Sequence, residues 1–442
     1  MSYEPRLIAP YFKESGLNLY FKPWIIGDDA FVEADDVFTW RGSIRKRDGF
    51  KLLARVDPEV AISDISMTDP AVVTTSADHN LQDDDQVWLE GITDVDYIDL
   101  NNTLFNITEI TDTTFSLQSL LGADIDKSTA AGDAGADGNV FLPIQHLATR
   151  IVPNTLDEQL IAFTSVRAFL FNTTTGVFND ISFDSMPDPL LWTGGANRYH
   201  WSSNYVNALW VTNNFDLIRF WNGDAADGWS NQQFETNATN FVFKALMIFP
   251  YKNRLVLLNT SEGTVANGTR FSQRVRWSKP FASPYTTNTG AGGATVEPPP
   301  GFTTNDNAWR DDIQGNGGFA DASTKEQIVT AGIVNDNLIV GFQRSTWRLR
   351  WTGNQIQPFV WEEINSHYGS EATHGTLGFD KLVFMFSRFG YVGADTNNVR
   401  RIDQKIPDQS FGTETGVNNE ELARVAVENV TVCTGVSLFA LI

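Results

Sequence analysis

The side chains that could carry chemistry are five histidines and several runs of carboxylates, and their spacing matches no known site. The histidines are His79, His146, His200, His367 and His374. Only the last two are close in sequence, and no pattern of further ligands surrounds them, so a zinc site is not predicted. The carboxylate runs are Asp28-Asp29, Asp35-Asp36 and Asp83-Asp84-Asp85. They could attract calcium, but the sequence has no calcium-loop motif, and solvated turns explain them better.

Catalytic motifs are also absent from the sequence. It has no G-x-S-x-G nucleophile elbow, no phosphate-binding P-loop and no Ser-x-Asp-x-Gly-x-Thr-Trp box of the sialidase type. The sequence therefore predicts no catalytic residue, no cofactor and no metal. An enzyme that cleaves glycans stays an alternative, because its two carboxylates need not be close in sequence.

The elements that would position any site are β-hairpins. Residues 336–354 (DNLIVGFQRSTWRLRWTGN) contain two runs of alternating side chains, separated by a turn at 343–346. This alternation predicts two antiparallel strands. One hairpin cannot bury its apolar face alone, so it needs copies of itself or another layer.

Similar hairpins recur along the chain. They lie at residues 159–172, 208–223, 253–278 and 380–393, and residues 425–442 have room for two more strands. The first leucines of the five units are Leu160, Leu209, Leu255, Leu338 and Leu382. Their spacing is about 45 to 50 residues, with one step of about 80, which is typical of β-propeller blades. We predict an all-β fold, a β-propeller with an inserted small β-barrel, with these leucines buried in five different blades. A β-sandwich with accidental regularity is the alternative.

Composition narrows the class of protein. The single cysteine, Cys433, permits no internal disulfide, and 13 Trp with 31 Phe suit large sheet-packing surfaces. The sequence has no run of about 20 apolar residues, and its start lacks a basic and hydrophobic signal. We therefore expect a protein made in the cytoplasm, without a membrane span.

The net charge is strongly negative. With 54 acidic and 32 basic residues, the formal charge is -22. This disfavours a protein that grips nucleic acid through its phosphates. A passage through which DNA slides is better lined with carboxylates or neutral groups than with Lys and Arg. The charge could also serve solubility alone.

Residues 1–57 combine an extended segment with a predicted hairpin, whose strands are expected at 37–40 and 50–55. Between these strands stands the only dense basic cluster of the chain, Arg41, Arg45, Lys46 and Arg47. We expect it to contact a neighbouring subunit, where opposite charges fix the register of an interface. A solvated hairpin tip is the alternative.

Residues 58–141 break the repeat pattern. They contain short predicted strands separated by Asn, Asp and Gly turns, at residues 71–75, 86–90, 103–110 and 114–117. This pattern predicts a small β-barrel. Its motifs, HNL at 79–81, DQV at 85–87, LNNTLF at 100–105 and TFSL at 114–117, resemble a module common in phage tail and baseplate proteins. Residues 122–138, rich in Ala, Gly and Asp, are predicted to form a flexible linker.

Residues 142–442 follow the propeller pattern except at 281–325, where Gly, Pro, Asn and Thr dominate. Loops of this length are usually functional or disordered. The segment combines flexible glycines, Gly290 and Gly293, with stiff prolines, Pro298, Pro299 and Pro300. They suit an arm that touches another subunit or narrows a channel, and an ordinary surface loop would use the same residues.

Three strand patterns carry a family resemblance. They are KNRL at 252–255, RVRWS at 274–278 and LIVGFQRSTWRL at 338–349. With FKPWIIGDDAF and WRGSIRKRDGFKLLARV near the N-terminus and the barrel module, the chain resembles the tail nozzle, or tail tubular, proteins of short-tailed phages. The likeness spans most of the chain outside the insertion, although members of that family are usually longer.

The resemblance implies a β-propeller with added β domains, six copies in a ring, and a DNA channel below the portal and adaptor. We therefore expect a structural virion protein of the tail, not an enzyme. Its expected partners are its own copies, other head-tail connector or tail proteins, and DNA that passes through the lumen unbound. A ring of six would carry a charge of about -130, so basic residues are expected at subunit contacts and acidic or neutral groups in the lumen. A glycan-binding or glycan-cleaving propeller for host attachment is the alternative.

Overall fold

The computed structural model shows an all-β protein. It describes residues 37–40, 43–46, 53–54, 56, 60–79, 81–83, 85–131, 137–152, 157–185, 188–194, 198–224, 228–264, 268–281, 285, 305, 307–379 and 381–402. Over these residues it contains 31 strands and one short 3-10 helix, Ile98–Leu100. None of the described segments is a helix long and apolar enough to cross a membrane.

An antiparallel hairpin lies near the N-terminus. Its strands are β1 (Val37–Trp40) and β2 (Ser43–Lys46). Trp40 pairs with Ser43, so the turn has two residues, a length that hairpins favour. The observed partner of β1 is therefore β2, in which Arg45 and Lys46 lie. Of the strand predicted at 50–55, only residues 53 and 54 are among the described residues, and they are not in a strand.

A closed barrel of six strands occupies residues 60–141, in the order β3-β4-β7-β6-β5-β8. The strands are β3 (Val60–Ile65), β4 (Val72–Thr75), β5 (Gln86–Glu90), β6 (Thr103–Thr111), β7 (Thr114–Gln118) and β8 (Asn139–Phe141). The predicted small barrel is confirmed, and β3 and β8 are additional strands that pair with each other to close it. Alternate residues such as Val73, Val87, Leu89 and Phe115 fill the interior and have no exposed surface.

Five further antiparallel sheets follow in chain order, and within each sheet every strand pairs with its neighbours in sequence. The first sheet is β9 (His146–Ile151), β10 (Glu158–Phe163), β11 (Ala168–Asn172) and β12 (Val177–Asp180). A small hairpin of β13 (Phe183–Ser185) and β14 (Asp188–Pro189) comes next. The second sheet is β15 (Trp201–Tyr205), β16 (Ala208–Thr212), β17 (Ile218–Trp221) and β18 (Trp229–Gln232).

The remaining three sheets continue the same pattern. The third sheet is β19 (Phe234–Glu235), β20 (Phe241–Tyr251), β21 (Arg254–Gly263), β22 (Thr269–Trp277) and β23 (Gly318–Asp321). The fourth sheet is β24 (Ile328–Val334), β25 (Asn337–Phe342), β26 (Thr346–Trp351) and β27 (Phe359–Asn365). The fifth sheet is β28 (Leu377–Gly378), β29 (Val383–Ser387), β30 (Gly390–Ala394) and β31 (Val399–Arg401).

The five predicted hairpins lie in five different sheets. Leu209, Leu255 and Leu338 are fully buried, as predicted. Leu160 and Leu382 are only partly buried, so the prediction is wrong for them. Leu160 lies within β10 and Leu382 directly before β29, and in each case the residue that follows in the chain is buried instead.

The chain divides into two compact units. The larger comprises residues 52–328, 351–361 and 440–442, and it contains the barrel and the first three sheets. Five tryptophans are fully buried in its cores: Trp192, Trp210, Trp221, Trp229 and Trp309. The smaller comprises residues 1–51, 329–350 and 362–439, and one of its hydrophobic clusters is built on Val334, Ile339, Val383, Met385 and Val392.

The predicted loop at 281–325 is only partly a loop. From residue 307 the chain forms turns and then β23, which pairs with β22. Trp309 is fully buried and stacks on Phe234, with ring centroids 4.3 Å apart. Tyr285 is also buried. These aromatic side chains anchor that part of the segment in the core. The Gly- and Asn-rich composition of the segment gave no sign of this burial.

Candidate interaction surface

The predicted interface and channel residues fall mostly outside the described residues. Arg45 and Lys46 lie in β2, registered opposite Phe38 and Val37. The others that lie outside the described residues are Arg41, Arg47, Gly290, Gly293, Pro298, Pro299 and Pro300. The predictions for the basic cluster and for the channel loop therefore stay predictions.

The acidic charge of the chain is concentrated in the barrel. Residues 60–141 contain 16 Asp and Glu but a single basic residue, Lys127, so they carry -15 of the formal charge of -22. Such a one-sided field attracts cationic partners and repels a polyanion. The barrel is thus the part of the chain with the strongest electrostatic preference.

One end of the barrel adjoins the first sheet. Strand β8 leads from this end into β9, and the backbone N–H of Gln86 donates to Oγ of Ser165 at 2.9 Å. We call this the inner end. Ala162, Phe169 and Phe178 of the first sheet belong to the same hydrophobic cluster as the barrel interior. The barrel and the first sheet therefore share one core.

The opposite end, which we call the outer end, consists of the connections at residues 66–71, 91–102 and 119–138. Strand register places them together. Ile65 pairs with Val73 across the first connection, Leu89 with Thr103 across the second, and the third begins where Gln118 pairs with Asn106.

Lys127 ties these connections to one another. Its backbone N–H donates to the carbonyl of Thr68 at 3.1 Å. Its Nζ donates to the carbonyl of Asp96 at 3.0 Å and to Oδ1 of Asp99 at 2.5 Å. The lysine side chain is only 11% exposed, so the single cation of the barrel is used internally. Within the linker predicted at 122–138, the backbone N–H of Ala131 also donates to Oδ2 of Asp96 at 3.0 Å, and the flexibility of the linker stays a prediction.

Large apolar side chains point into solvent at the outer end. Leu121 is 97% exposed, Val95 80%, Ile98 54% and Met67 49%. Eight carboxylates lie on the same connections, at Asp69, Asp94, Asp96, Asp99, Asp124, Asp126, Asp133 and Asp137. Exposed apolar side chains grouped on one surface of a folded protein mark interaction sites more often than isolated ones do. The outer end is thus an acidic surface with apolar tips, suited to a partner that is basic and partly apolar.

The carboxylates do not form a metal centre. No group of three or more His, Cys, Asp or Glu side chains in the described part of the chain is arranged to hold a metal ion. The fold does place His146 and His200 against the same aromatic ring, Phe163, at centroid distances of 5.7 and 4.9 Å. Their spacing in sequence gave no signal of this contact.

The inner end contains a buried carboxyl, Asp85. Its Oδ2 accepts a hydrogen bond from the backbone N–H of Gln82 at 3.0 Å, and Ser165 donates to its Oδ1 at 3.4 Å. Burial raises the pKa of Asp85 to about 7, against the opposing charge of Arg167. The expectation of solvated turns is thus wrong for Asp85, which has no exposed surface.

The third sheet contains a buried ionic network. Glu262 lies 3.0 Å from Arg274 and 2.7 Å from Arg276, and these arginines also contact Asp321 and Asp311 at 2.7 and 3.0 Å. Burial by itself would raise the pKa of Glu262, but Arg276 and Arg274 together with hydrogen bonds hold it below its ordinary value. Because the charges satisfy one another, the network is a packing feature and offers no free group to a ligand.

Arg254 shows the opposite arrangement. It is fully buried, and its Nη1 donates to the carbonyls of Ser278 and Asn316 at 2.6 and 3.2 Å. Its Nε and Nη2 have no hydrogen-bond acceptor among the described residues. Burial lowers the pKa of this guanidinium to about 10, against the influence of Tyr205.

Sequence reasoning missed the outer end of the barrel. Its aspartates were interpreted as turn residues between strands, and its exposed apolar residues lie outside the predicted strands. A count of charge by region would have found it, since a single basic residue among 82 positions is unusual in a chain with 32 of them.

Comparisons with known proteins assign no family. No family model and no curated protein matches the chain. Solved structures that align with it include two of the extracellular domain of BT4673 from B. thetaiotaomicron, titled in one case as a one-component system and in the other as a hybrid two-component system. The sequence identities are 12% and 11%, the TM-score is 0.33 for both, and 82% and 84% of this chain is covered. The alignment spans 51% of each of those chains. A TM-score of 0.33 is too low to carry a conclusion about fold or function.

Proposed function

We propose that this chain is a structural protein of a phage tail, a β-propeller with an inserted barrel, of which six copies form a ring that extends the DNA-ejection channel. The observation that carries the proposal is the run of five consecutive antiparallel sheets, each built from four or five strands in chain order. Repeated small sheets with this strand order are typical of propeller blades. The strand patterns at 252–255, 274–278 and 338–349, which carry the resemblance to tail nozzle proteins, all coincide with these sheets.

The distribution of charge supports the same function. A lumen that lets DNA pass must not hold its phosphates, and a barrel with a formal charge of -15 repels them. The basic hairpin is then available for contacts between subunits or with other head-tail connector or tail proteins. In this proposal the protein is made in the host cytoplasm and resides in the tail of the virion.

The alternative of a glycan-binding propeller has less support. Exposed tryptophan would favour such a site, and no tryptophan whose side chain the structure describes is among the exposed large apolar residues, where the aromatic residues are Phe and Tyr. We therefore do not put forward a second function.

Electron microscopy of the purified chain, with native mass spectrometry, tests the proposal. The expected result is a six-fold ring with a central channel. A gel-shift assay with duplex DNA at low salt should show no stable complex, because the acidic lumen offers no phosphate ligands. A chain that stays monomeric at micromolar concentration, or a ring that retains DNA, would contradict the proposal.

A further inference from the structure

The outer end of the barrel is an exposed surface for which the chain itself encodes a complementary partner. We propose that this end binds the basic hairpin β1–β2 of a neighbouring copy of the chain. The inference rests on the proposed ring and adds which two surfaces form its subunit contact.

Charge complementarity is the first argument. Residues 41–51 contain five basic residues, Arg41, Arg45, Lys46, Arg47 and Lys51, against one acidic residue, Asp48, which is a net charge of +4. The barrel carries -15, and its one cation is already bound to Asp99 and to the carbonyl of Asp96. Oppositely charged patches speed encounter and fix the register of an interface, so the hairpin is the best match to the barrel within this sequence.

Apolar surface is the second argument. The outer end exposes Leu121, Val95, Ile98 and Met67. Contact of these apolar side chains with water is unfavourable, and covering them by a partner lowers the free energy. The hairpin combines apolar residues with cations, since its strands have the sequences VFTW (β1) and SIRK (β2). A contact with an apolar centre and a charged rim is the usual anatomy of protein interfaces.

The topology of the contact follows from the two surfaces being different. When the hairpin of one copy binds the barrel of the next, an open assembly keeps one unused hairpin at one end and one unused barrel at the other. Such heterologous contacts generate rings when the rotation between copies closes, whereas a symmetric dimer would use the same patch twice. The proposed contact is therefore of the kind that a ring requires.

Charge reversal on each surface tests the contact. One full-length variant carries Asp69→Lys and Asp124→Lys at the outer end, and the other carries Arg45→Glu and Lys46→Glu in the hairpin. Each alone is expected to weaken assembly by at least about tenfold, because like charges then face each other. An equimolar mixture of the two is expected to recover part of the assembly, since the reversed hairpin of one copy fits the reversed barrel of the other.

Matched controls separate this contact from a general charge effect. Asp78→Lys with Asp112→Lys makes the same charge change on exposed residues at the other end of the barrel. Lys381→Glu with Arg388→Glu does so for exposed basic residues of the smaller unit. Leu121→Ser should weaken assembly, whereas Ile110→Ser, a 53% exposed residue near the opposite turn, should not. Circular dichroism and thermal melting confirm that each variant is folded.

The readout is the distribution of oligomers by native mass spectrometry and sedimentation velocity. Loss in both reversal variants, recovery in their mixture and intact controls support the contact. A wild-type ring that both reversals leave intact would overturn this inference and leave the proposed function standing. Loss in both variants without recovery in the mixture would also overturn it, because the surfaces would then not meet each other. A wild-type chain that does not assemble would overturn both.

Discussion

Ser165 of the first sheet donates a hydrogen bond to the buried carboxyl of Asp85 in the barrel, at 3.4 Å. The same hydroxyl oxygen accepts the backbone N–H of Gln86 at 2.9 Å. A single serine therefore connects a turn of the barrel to the sheet that follows it. Burial at this contact favours the uncharged form of the carboxyl, against the hydrogen bonds from Gln82 and Ser165, which favour the charged form.

The buried carboxyl at this contact should make the free energy of unfolding depend on pH. The pKa of Asp85 is about 7 in the folded protein against 3.8 for an exposed carboxyl, so the folded state binds the proton more tightly. This contribution is fully present below pH of about 4 and is lost as pH rises to about 7, a change of up to about 4 kcal/mol. We expect Asp85→Asn to remove it, because the amide does not titrate in this range and its carbonyl can still accept the N–H of Gln82.

Urea unfolding from pH 4.5 to 8 measures this effect as the difference between wild type and Asp85→Asn. The variant should gain stability relative to wild type as pH rises. Asp112→Asn, an exposed residue of the same barrel, serves as the control and should follow wild type. Parallel curves for wild type and Asp85→Asn would show that the carboxyl does not titrate in this range.

Removal of the barrel should lower stability without abolishing folding. A deletion of residues 60–141, bridged by a short flexible linker, would expose Phe169 and Phe178, which are now 3% and 5% exposed in the shared core. Each exposed ring costs about 1.5–3 kcal/mol. Differential scanning calorimetry should show one cooperative transition at a lower Tm. If no cooperative transition survives, the barrel is not a separable insertion and the predicted boundary at 58–141 is wrong.

The hairpins and the barrel could be predicted because they depend on local patterns. Alternation and turn residues identified β25 and β26, and β5 was predicted with its observed bounds. Burial at individual positions was less predictable, since Leu160 and Leu382 have the same pattern as Leu209 but are only partly buried. Trp309 lies in a Gly- and Asn-rich segment, and only its tertiary contact with Phe234 shows that it belongs to the core.

The candidate surface was less predictable for a related reason. The basic cluster was visible as a run in the sequence. The exposed apolar residues of the outer end are scattered from Met67 to Leu121, and only the strand register brings them to the same end of the barrel. Asp85 looked like its neighbours in an acidic run, and only its burial separates it from them. Long-range pairing is what single-sequence patterns do not contain.

Neutralising Glu262 should destabilise the larger unit. The carboxylate lies between Arg274 and Arg276, whose side chains are 10% and 2% exposed, so Glu262→Gln leaves two buried cations with fewer counter-charges. Removal of one partner of a buried pair typically costs about 3–5 kcal/mol. Urea unfolding at pH 7 measures this cost, with the exposed Glu109→Gln as control. Equal stability of the two variants would mean that Asp311 and Asp321 suffice to balance the arginines.

Two of the buried arginines of the third sheet, Arg276 and Arg254, should respond differently to the same substitution. Arg276 has no more than 2% exposed side chain and contacts Glu262 and Asp311, whereas the equally buried Arg254 donates only to backbone carbonyls. Arg276→Met leaves carboxylates uncompensated and is expected to cost about 3 kcal/mol. Arg254→Met removes an isolated buried charge, whose desolvation offsets much of its hydrogen bonding, so a change within about 1 kcal/mol is expected. Urea unfolding at pH 7 compares the free energies of unfolding of the two variants. If Arg254→Met cost as much as Arg276→Met, the Nε and Nη2 groups of Arg254 would have to bind an acceptor in solution.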